Sequence, residues 1–270
     1  MQFRSFAVPL LALMTGSFLG DHGQLYAQAE ENPNAMDVLR QVADAYGKLD
    51  SYEWTAQSTS SFDNGISKSH DGQLTTVFVA FRRPGQMHLE VRPISAGPFN
   101  GINVTNGNTV WRYIPYLRIC CHPGLLPVPP YVTAALGSSL PYERIMEKLK
   151  SADFAGTSTL IVDGQSIRCF LVNAIYEPET KTFQQPAGTQ WTQAAVTYWI
   201  DPNTNLVMQQ YHHQILKLKV SGRINPPYHY YVTTSVVRFR MNPRLPDSLF
   251  LLRIPTDVHE MKRCPSGGGG

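Results

Sequence analysis

The chain has 270 residues, 43% of them apolar, and 23 Lys and Arg against 20 Asp and Glu, a formal charge of +3. Charge this weak and scattered, with no basic stripe, argues against a nucleic-acid binder. After the N-terminus no apolar segment approaches the roughly 20 residues that a membrane span needs, and the length suits one large all-β domain or two small ones.

Arg4 precedes the apolar run "FAVPLLALMTGSFLG", which ends before Ala27-Gln28-Ala29, a small-x-small cleavage pattern. This is the layout of a secretory signal peptide. Residues 1–29 are therefore expected to be removed after Ala29, leaving a soluble, exported, periplasmic protein. No cysteine stands near the cleavage site to take a lipid anchor. The mature chain is expected to be one domain over 30–263 with a flexible glycine-rich tail over 264–270.

The first periodic segment is "NAMDVLRQVADAYGKLDSY", where Met36, Leu39, Val42, Ala43, Tyr46 and Leu49 recur at helical spacing. Charged and polar residues fill the other face, so the spacing predicts one amphipathic helix. Beyond it, short β-branched and aromatic runs alternate with the turn signals "DNG" at 63–65, "DG" at 71–72, "NGN" at 106–108, "DG" at 163–164 and "DPNTN" at 201–205. Tight turns between such runs predict antiparallel hairpins, about ten strands in all, a barrel or sandwich number.

The stretch "IPYLRICCHPGLLPVPPY" at 114–131 is apolar yet rich in proline. Proline removes a ladder donor, so it reads as a loop outside the sheet that covers something apolar. The segment "LPYERIMEKLKSADF" at 140–154 predicts a second helix, with Pro141 in its first turn. "EPETKTFQQPAGTQWTQ" at 177–193 reads as a mobile insert between strands.

Cys120, Cys121, Cys169 and Cys264 allow three pairings, and export makes a disulfide plausible. The "CCH" cluster at 120–122 lacks the ligand spacing of structural zinc sites, and neither metal nor cofactor is expected. No "GxSxG", "GxxxxGK[ST]" or "HExxH" motif occurs; "HEMKR" at 259–263 lacks the second histidine. His212 and His213 are adjacent, so in a strand they point to opposite faces. Redox chemistry at Cys120 and Cys121 is the one enzymatic reading left, and no catalytic residue is assigned.

In "TTVFVAFRR" one face shows Val77, Val79 and Phe81 and the other Phe78 and Ala80; "AAVTYWID" and "YHYYVTTSVVRF" are also apolar on both faces. A sheet with one solvated face would alternate cleanly. Either helices cover one side, or one face lines an apolar cavity.

Four pieces in order, the opening helix running into "SYEWTAQSTS", "FRRPGQMHLE" at 81–90, "GNTVWRYIP" at 107–115 and "YWIDPNTNLVMQQ" at 198–210, resemble the bacterial periplasmic lipoprotein carrier family, the LolA-like proteins. The resemblance spans most of residues 35–255. It implies a mainly β fold with α elements: a curved, incomplete antiparallel β-barrel closed by a lid of helices and loops. It further implies acyl chains of lipoproteins or lipids as cargo, an inner-membrane donor, an outer-membrane acceptor and only peripheral membrane contact. Arg83, just before Pro84, matches the family's lid-latching arginine, while His88 stands where many relatives have a second arginine. Phe78, Phe81, Leu89, Trp111, Tyr113, Tyr198 and Trp199 are the candidate cavity residues. Tyr116, Leu117, Leu125 and Leu126 are the candidate lid loop. The alternative reading is a lipid or lipoprotein sensor that regulates a membrane partner.

Overall fold

Asn34 opens helix α1 (Ala35–Gly47): its side-chain oxygen accepts from the Met36 and Asp37 amides at 2.9 and 3.3 Å. Two of the donors a helix start leaves unpaired are thereby satisfied. The buried stripe is Ala35, Val38, Leu39, Val42 and Tyr46. It is thus rotated slightly from the expected one, with Val38 inside and Met36 and Ala43 only half-buried. The computed structural model describes residues 32–63, 65, 68–69, 74–93, 101–121, 142–177, 189–220, 223–224, 226–254 and 256–262.

After α1 the chain is almost all strand: β1 (Ser51–Asp63), β2 (Lys68–Ser69), β3 (Thr75–Arg82), β4 (Gln86–Pro93), β5 (Gly101–Asn106), β6 (Val110–Ile114), β7 (Ile119–Cys121), β8 (Leu149–Val162), β9 (Gln165–Tyr176), β10 (Thr189–Asp201), β11 (Leu206–Val220), β12 (Arg223–Ile224), β13 (Tyr228–Met241) and β14 (His259–Met261). They form one sheet in the order β14-β7-β6-β5-β4-β3-β1-β13-β11-β10-β9-β8, with β2 and β12 as short additions to β1 and β11. Among the described residues its two ends are not hydrogen-bonded to each other, so it is a curved, open barrel. Neighbours are antiparallel except β14, which runs parallel to β7. Curvature shows in one bond: the Asp163 amide, at the β8–β9 turn, donates to the Val237 carbonyl on β13 at 3.0 Å, although β11, β10 and β9 lie between them in the sheet.

Turn chemistry sets the hairpins. Asp163 and Gly164 both have positive φ, 51° and 76°, as a two-residue primed turn between right-twisted strands requires. At the β10–β11 turn, Asp201 accepts from the Asn203 amide at 3.0 Å and the Thr204 hydroxyl at 2.7 Å. Gly107 suits only glycine: its φ is 98°, and a Cβ there would lie a tight 3.0 Å from the Pro84 carbonyl.

Two expectations are corrected. The helix expected over 140–154 is, among the described residues, only a 3-10 turn, Tyr142–Arg144, because from Leu149 the chain pairs with β9 instead. Tertiary pairing overrides helix propensity there. The loop expected from 114 first folds back into the sheet. Pro115–Leu117 makes a 3-10 turn, Arg118 takes a positive φ of 51°, and β7 then pairs with β6. Cys120 and Cys121 are therefore buried strand residues.

Candidate functional site

Residues paired across neighbouring strands share a face. One face, here the inner one, carries α1 and the main core: Val38, Leu39, Val42 and Tyr46 pack on Tyr52, Trp54, Ala56, Val77, Val79, Leu89, Val91, Val172, Ala174, Val196, Tyr198 and Val236. Tyr46 anchors the helix, with ring centroids 4.7 Å from Tyr142, 5.6 Å from Tyr52 and 6.2 Å from Phe239. Tyr52 stacks on Phe81 at 5.0 Å. Fully burying side chains of this size contributes about 1.5–3 kcal/mol each, so α1 is held chiefly by packing.

Its C-terminal end also has a polar hold. Arg83, in the β3–β4 turn, donates from Nε to the Leu49 carbonyl at 3.0 Å and from Nη2 to the Gly47 carbonyl at 2.9 Å. The same Nη2 meets Glu143 at 2.7 Å, on the 3-10 turn beside α1. The last turn of α1 has no basic residue of its own, so Arg83 supplies the cation that complements the negative helix end. Only its fork of donors can reach two carbonyls and a carboxylate together.

Next to α1 the inner face turns polar in one row. Register aligns Ser58, Thr234, Gln210 and Tyr198 across β1, β13, β11 and β10. Ser58 and Thr234 share a hydroxyl hydrogen bond of 3.1 Å, and the Tyr142 hydroxyl donates to Gln210 Oε1 at 3.0 Å. Tyr176 donates to the Ile145 carbonyl at 3.0 Å, leaving its oxygen to accept from Tyr198 at 3.0 Å. Burial pushes the Tyr176 phenol up to about 12 and those of Tyr142 and Tyr198 higher still. All three act as neutral hydroxyls. The following row is Ser60, Val232, His212, Val196 and Ala174.

The outer face has a different cover. Phe78 and Ala80 pack there against Leu245, Leu249 and Phe250 of the C-terminal segment. Arg82 donates to the Leu245 carbonyl at 3.0 Å and to Asp247 at 2.6 Å, and its guanidinium lies 4.8 Å above the Phe250 ring. His88 Nδ1 lies 2.9 Å from the Leu249 carbonyl. Further along, His213, His229, Tyr231 and Tyr211 stack on this face, with 3.0 Å between His213 Nε2 and His229 Nδ1.

The candidate cavity residues accordingly separate. Phe81, Leu89 and Tyr198 belong to the inner face, and half-buried Trp199 sits at a β10 bulge against the core. Phe78 lies on the outer face, and register puts Trp111 and Tyr113 there too, through Val104, His88 and Ala80. The pleat separates Phe78 from Val79, and sequence alone cannot say which of two apolar faces is inside. Of the lid loop, Leu117 is exposed; Leu125, Leu126 and the Tyr116 side chain lie outside the described residues, as do 1–31, Cys264 and residues 178–188 of the insert expected over 177–193, whose last residues, from Thr189, instead belong to strand β10 and pair with β11. Sequence reasoning gave no role to Glu143 or Gln210, took Tyr142 only as a packing residue of the expected helix, and read His212 only as pointing away from His213. The period-two run Gln210, His212, Gln214 was the available signal.

Cys120 and Cys169 are buried free thiols, not partners of a disulfide. Burial, reinforced by Asp201, raises the Cys169 thiol to about 11, and burial with Glu260 raises that of Cys120. Thiols held protonated are poor nucleophiles. Among the described residues no three His, Cys, Asp or Glu side chains gather to hold a metal ion, and no helix is long and apolar enough to cross a membrane.

No protein-family profile matches the chain, and no curated protein sequence does. Solved structures are similar to it only at a low level. A LolA superfamily protein from Nitrosomonas europaea is 10% identical at a TM-score of 0.38, over 82% of this chain and 98% of that one. A domain named for outer-membrane lipoprotein sorting, from Vibrio parahaemolyticus, is 11% identical at 0.35, over 80% and 97%. An uncharacterized conserved protein from Thermus thermophilus is 12% identical at 0.46, over 85% and 99%.

Proposed function

We propose that the protein is a non-enzymatic periplasmic carrier, which binds the acyl chains of lipoproteins or other acylated lipids on the inner face of its open barrel. It takes them from an inner-membrane donor and delivers them to an outer-membrane acceptor. The observation that carries this reading is Arg83. It ties the end of the covering helix to the rim of a curved apolar sheet at the position that the resemblance to LolA-like proteins marks as the latch.

Burial supplies the affinity. Each methylene removed from water contributes about 0.8 kcal/mol, so a long acyl chain gains on the order of 10 kcal/mol. Affinity of that size resists release unless the empty protein regains contacts when cargo leaves. Under α1 the inner face is filled by Tyr46, Tyr52, Tyr142 and Phe239, so a chain entering there displaces the helix end and breaks the Arg83 contacts. Re-forming them on release offsets part of the cost of expelling the lipid.

One covalent pin is part of the proposal. With Cys120 and Cys169 free, and Met261 of β14 beside Cys121 of β7, oxidation on export joins Cys121 to Cys264. Non-reducing peptide mapping of the periplasmic protein tests this and should also find Glu30 as the first residue. For the function itself, N-phenylnaphthylamine should bind the purified protein stoichiometrically and be displaced by a lipopeptide. A folded protein that binds neither is not a lipid carrier.

A further inference from the structure

We infer that His212 is the polar anchor of the inner face, a hydrogen-bonding site for the acyl oxygen (ester, amide or carboxyl) of a bound lipid. The inference rests on the carrier reading above and adds the part of the ligand that the site recognises.

His212 is 2% exposed, yet among the described residues its Nε2 has no hydrogen-bond partner. Buried polar atoms are paired in the great majority of cases, and leaving one unpaired costs about 1–3 kcal/mol. The surroundings sharpen the anomaly. In the adjacent row, Ser58, Thr234, Gln210 and Tyr198 all have side-chain partners. In its own row His212 lies between Val232 and Val196. The neighbouring histidine on the outer face, His213, has His229 within hydrogen-bond distance.

Burial alone lowers the His212 imidazolium to about 3, so the ring is neutral at any periplasmic pH. A neutral imidazole carries one N–H and one bare nitrogen. Nε2 can thus donate to an ester, amide or carboxylate oxygen, or accept from a protonated acid. A saturated hydrocarbon offers it nothing. His212 also lies one row beyond Gln210, the residue that the Tyr142 hydroxyl reaches. An acyl oxygen placed there leaves the hydrocarbon chain on the apolar residues to either side, such as Val232 and Val196, both buried. The free protein keeps the unpaired nitrogen and the loaded protein satisfies it, so the hydrogen bond favours cargo over empty hydrocarbon contact.

The test displaces N-phenylnaphthylamine with three ligands of equal chain length: myristic acid, methyl myristate and tetradecane. His212→Leu should weaken the acid and the ester about tenfold and leave tetradecane unchanged. His212→Gln should restore part of the loss. If acid and ester fall together, the site reads the shared carbonyl; if the acid alone falls, it reads the carboxyl. As a check independent of the variants, the ¹⁵N shift of His212 Nε2 in the wild-type protein should move when methyl myristate displaces the probe and stay put with tetradecane. Equal loss for all three ligands, or an ester that displaces the probe without moving the Nε2 signal, overturns the inference while the carrier reading stands. A wild-type protein that binds no probe overturns both.

Discussion

Arg82 and Arg83 are neighbours in sequence and fasten covers to opposite faces of the same sheet. Arg82 holds a C-terminal segment whose Leu245 and Phe250 are themselves buried on Ala80, and the guanidinium lies against the Phe250 ring. Arg83 instead holds backbone: carbonyls at the end of α1 and one carboxylate from the next turn. The first contact is interwoven with apolar packing and cannot be released without exposing it. The second sits at a helix end and is over a third exposed on the arginine side, so the proposed carrier would open it while the stripe around Leu39 stays packed. One arginine closes a structural seam; in the proposed carrier the other biases a movable cover.

The largest effects should come from the packing on each side. Leu39→Ala removes a buried side chain from α1, and Phe250→Ala removes one from the outer cover. Losses of about 2–5 and 3–5 kcal/mol are expected in urea unfolding. The comparison sharpens in ligand binding: Leu39→Ala should change probe affinity of the folded protein, and Phe250→Ala should not.

Acid should strip both faces, through different groups. His212 on the inner face has its imidazolium lowered to about 3 by burial. Between about pH 3 and 6.5 the unfolded chain binds the proton and the folded one does not, so stability rises with pH across that window and is flat above it. Glu90 on the outer face is lowered to about 2, first by His88, whose Nε2 lies 3.9 Å from its carboxylate, and then by Arg92. Its contribution is present above about pH 4.5 and is lost as pH falls towards 2. His212→Leu should flatten the stability profile between about pH 4 and 6, and Glu90→Gln should flatten it below about pH 4.

Much of this architecture was readable in the chain because local chemistry dictates it. Asp163-Gly164 can scarcely be anything but a hairpin turn, and the stripe around Leu39 and Val42 has only one period. What failed depended on register. Leu149–Phe154 looks helical until β9 is available to pair with it, and Phe78 and Val79 are equally apolar until the C-terminal segment is seen to cover one of them. His212 was legible only as pointing away from His213; that its nitrogen lacks a partner is a property of the packed strands. Arg83 was found through its resemblance to a latch, not through any local pattern.

Smaller changes separate the arginines. Arg82→Leu removes the bond to the Leu245 carbonyl and the cation–π contact, and about 1–2 kcal/mol of stability should go with them. Its pairing with Asp247, whose side chain is 88% exposed, adds little. Arg83→Leu should lower stability by about 1 kcal/mol, because its ion pair with Glu143 is partly exposed and its hydrogen bonds to the Leu49 and Gly47 carbonyls lie at a helix end that water can reach. It should leave uptake of lipid nearly unchanged.

The most direct measurement is therefore hand-off: transfer of a labelled lipoprotein from loaded protein to outer-membrane vesicles, with wild type and Arg83→Leu compared at equal loading. A folded Arg83→Leu protein should take up the lipoprotein and release it several-fold more slowly, with Arg82→Leu transferring at the wild-type rate. Wild-type transfer by a well-folded Arg83→Leu protein would contradict the latch, and a folded wild-type protein that never loads would contradict the carrier itself.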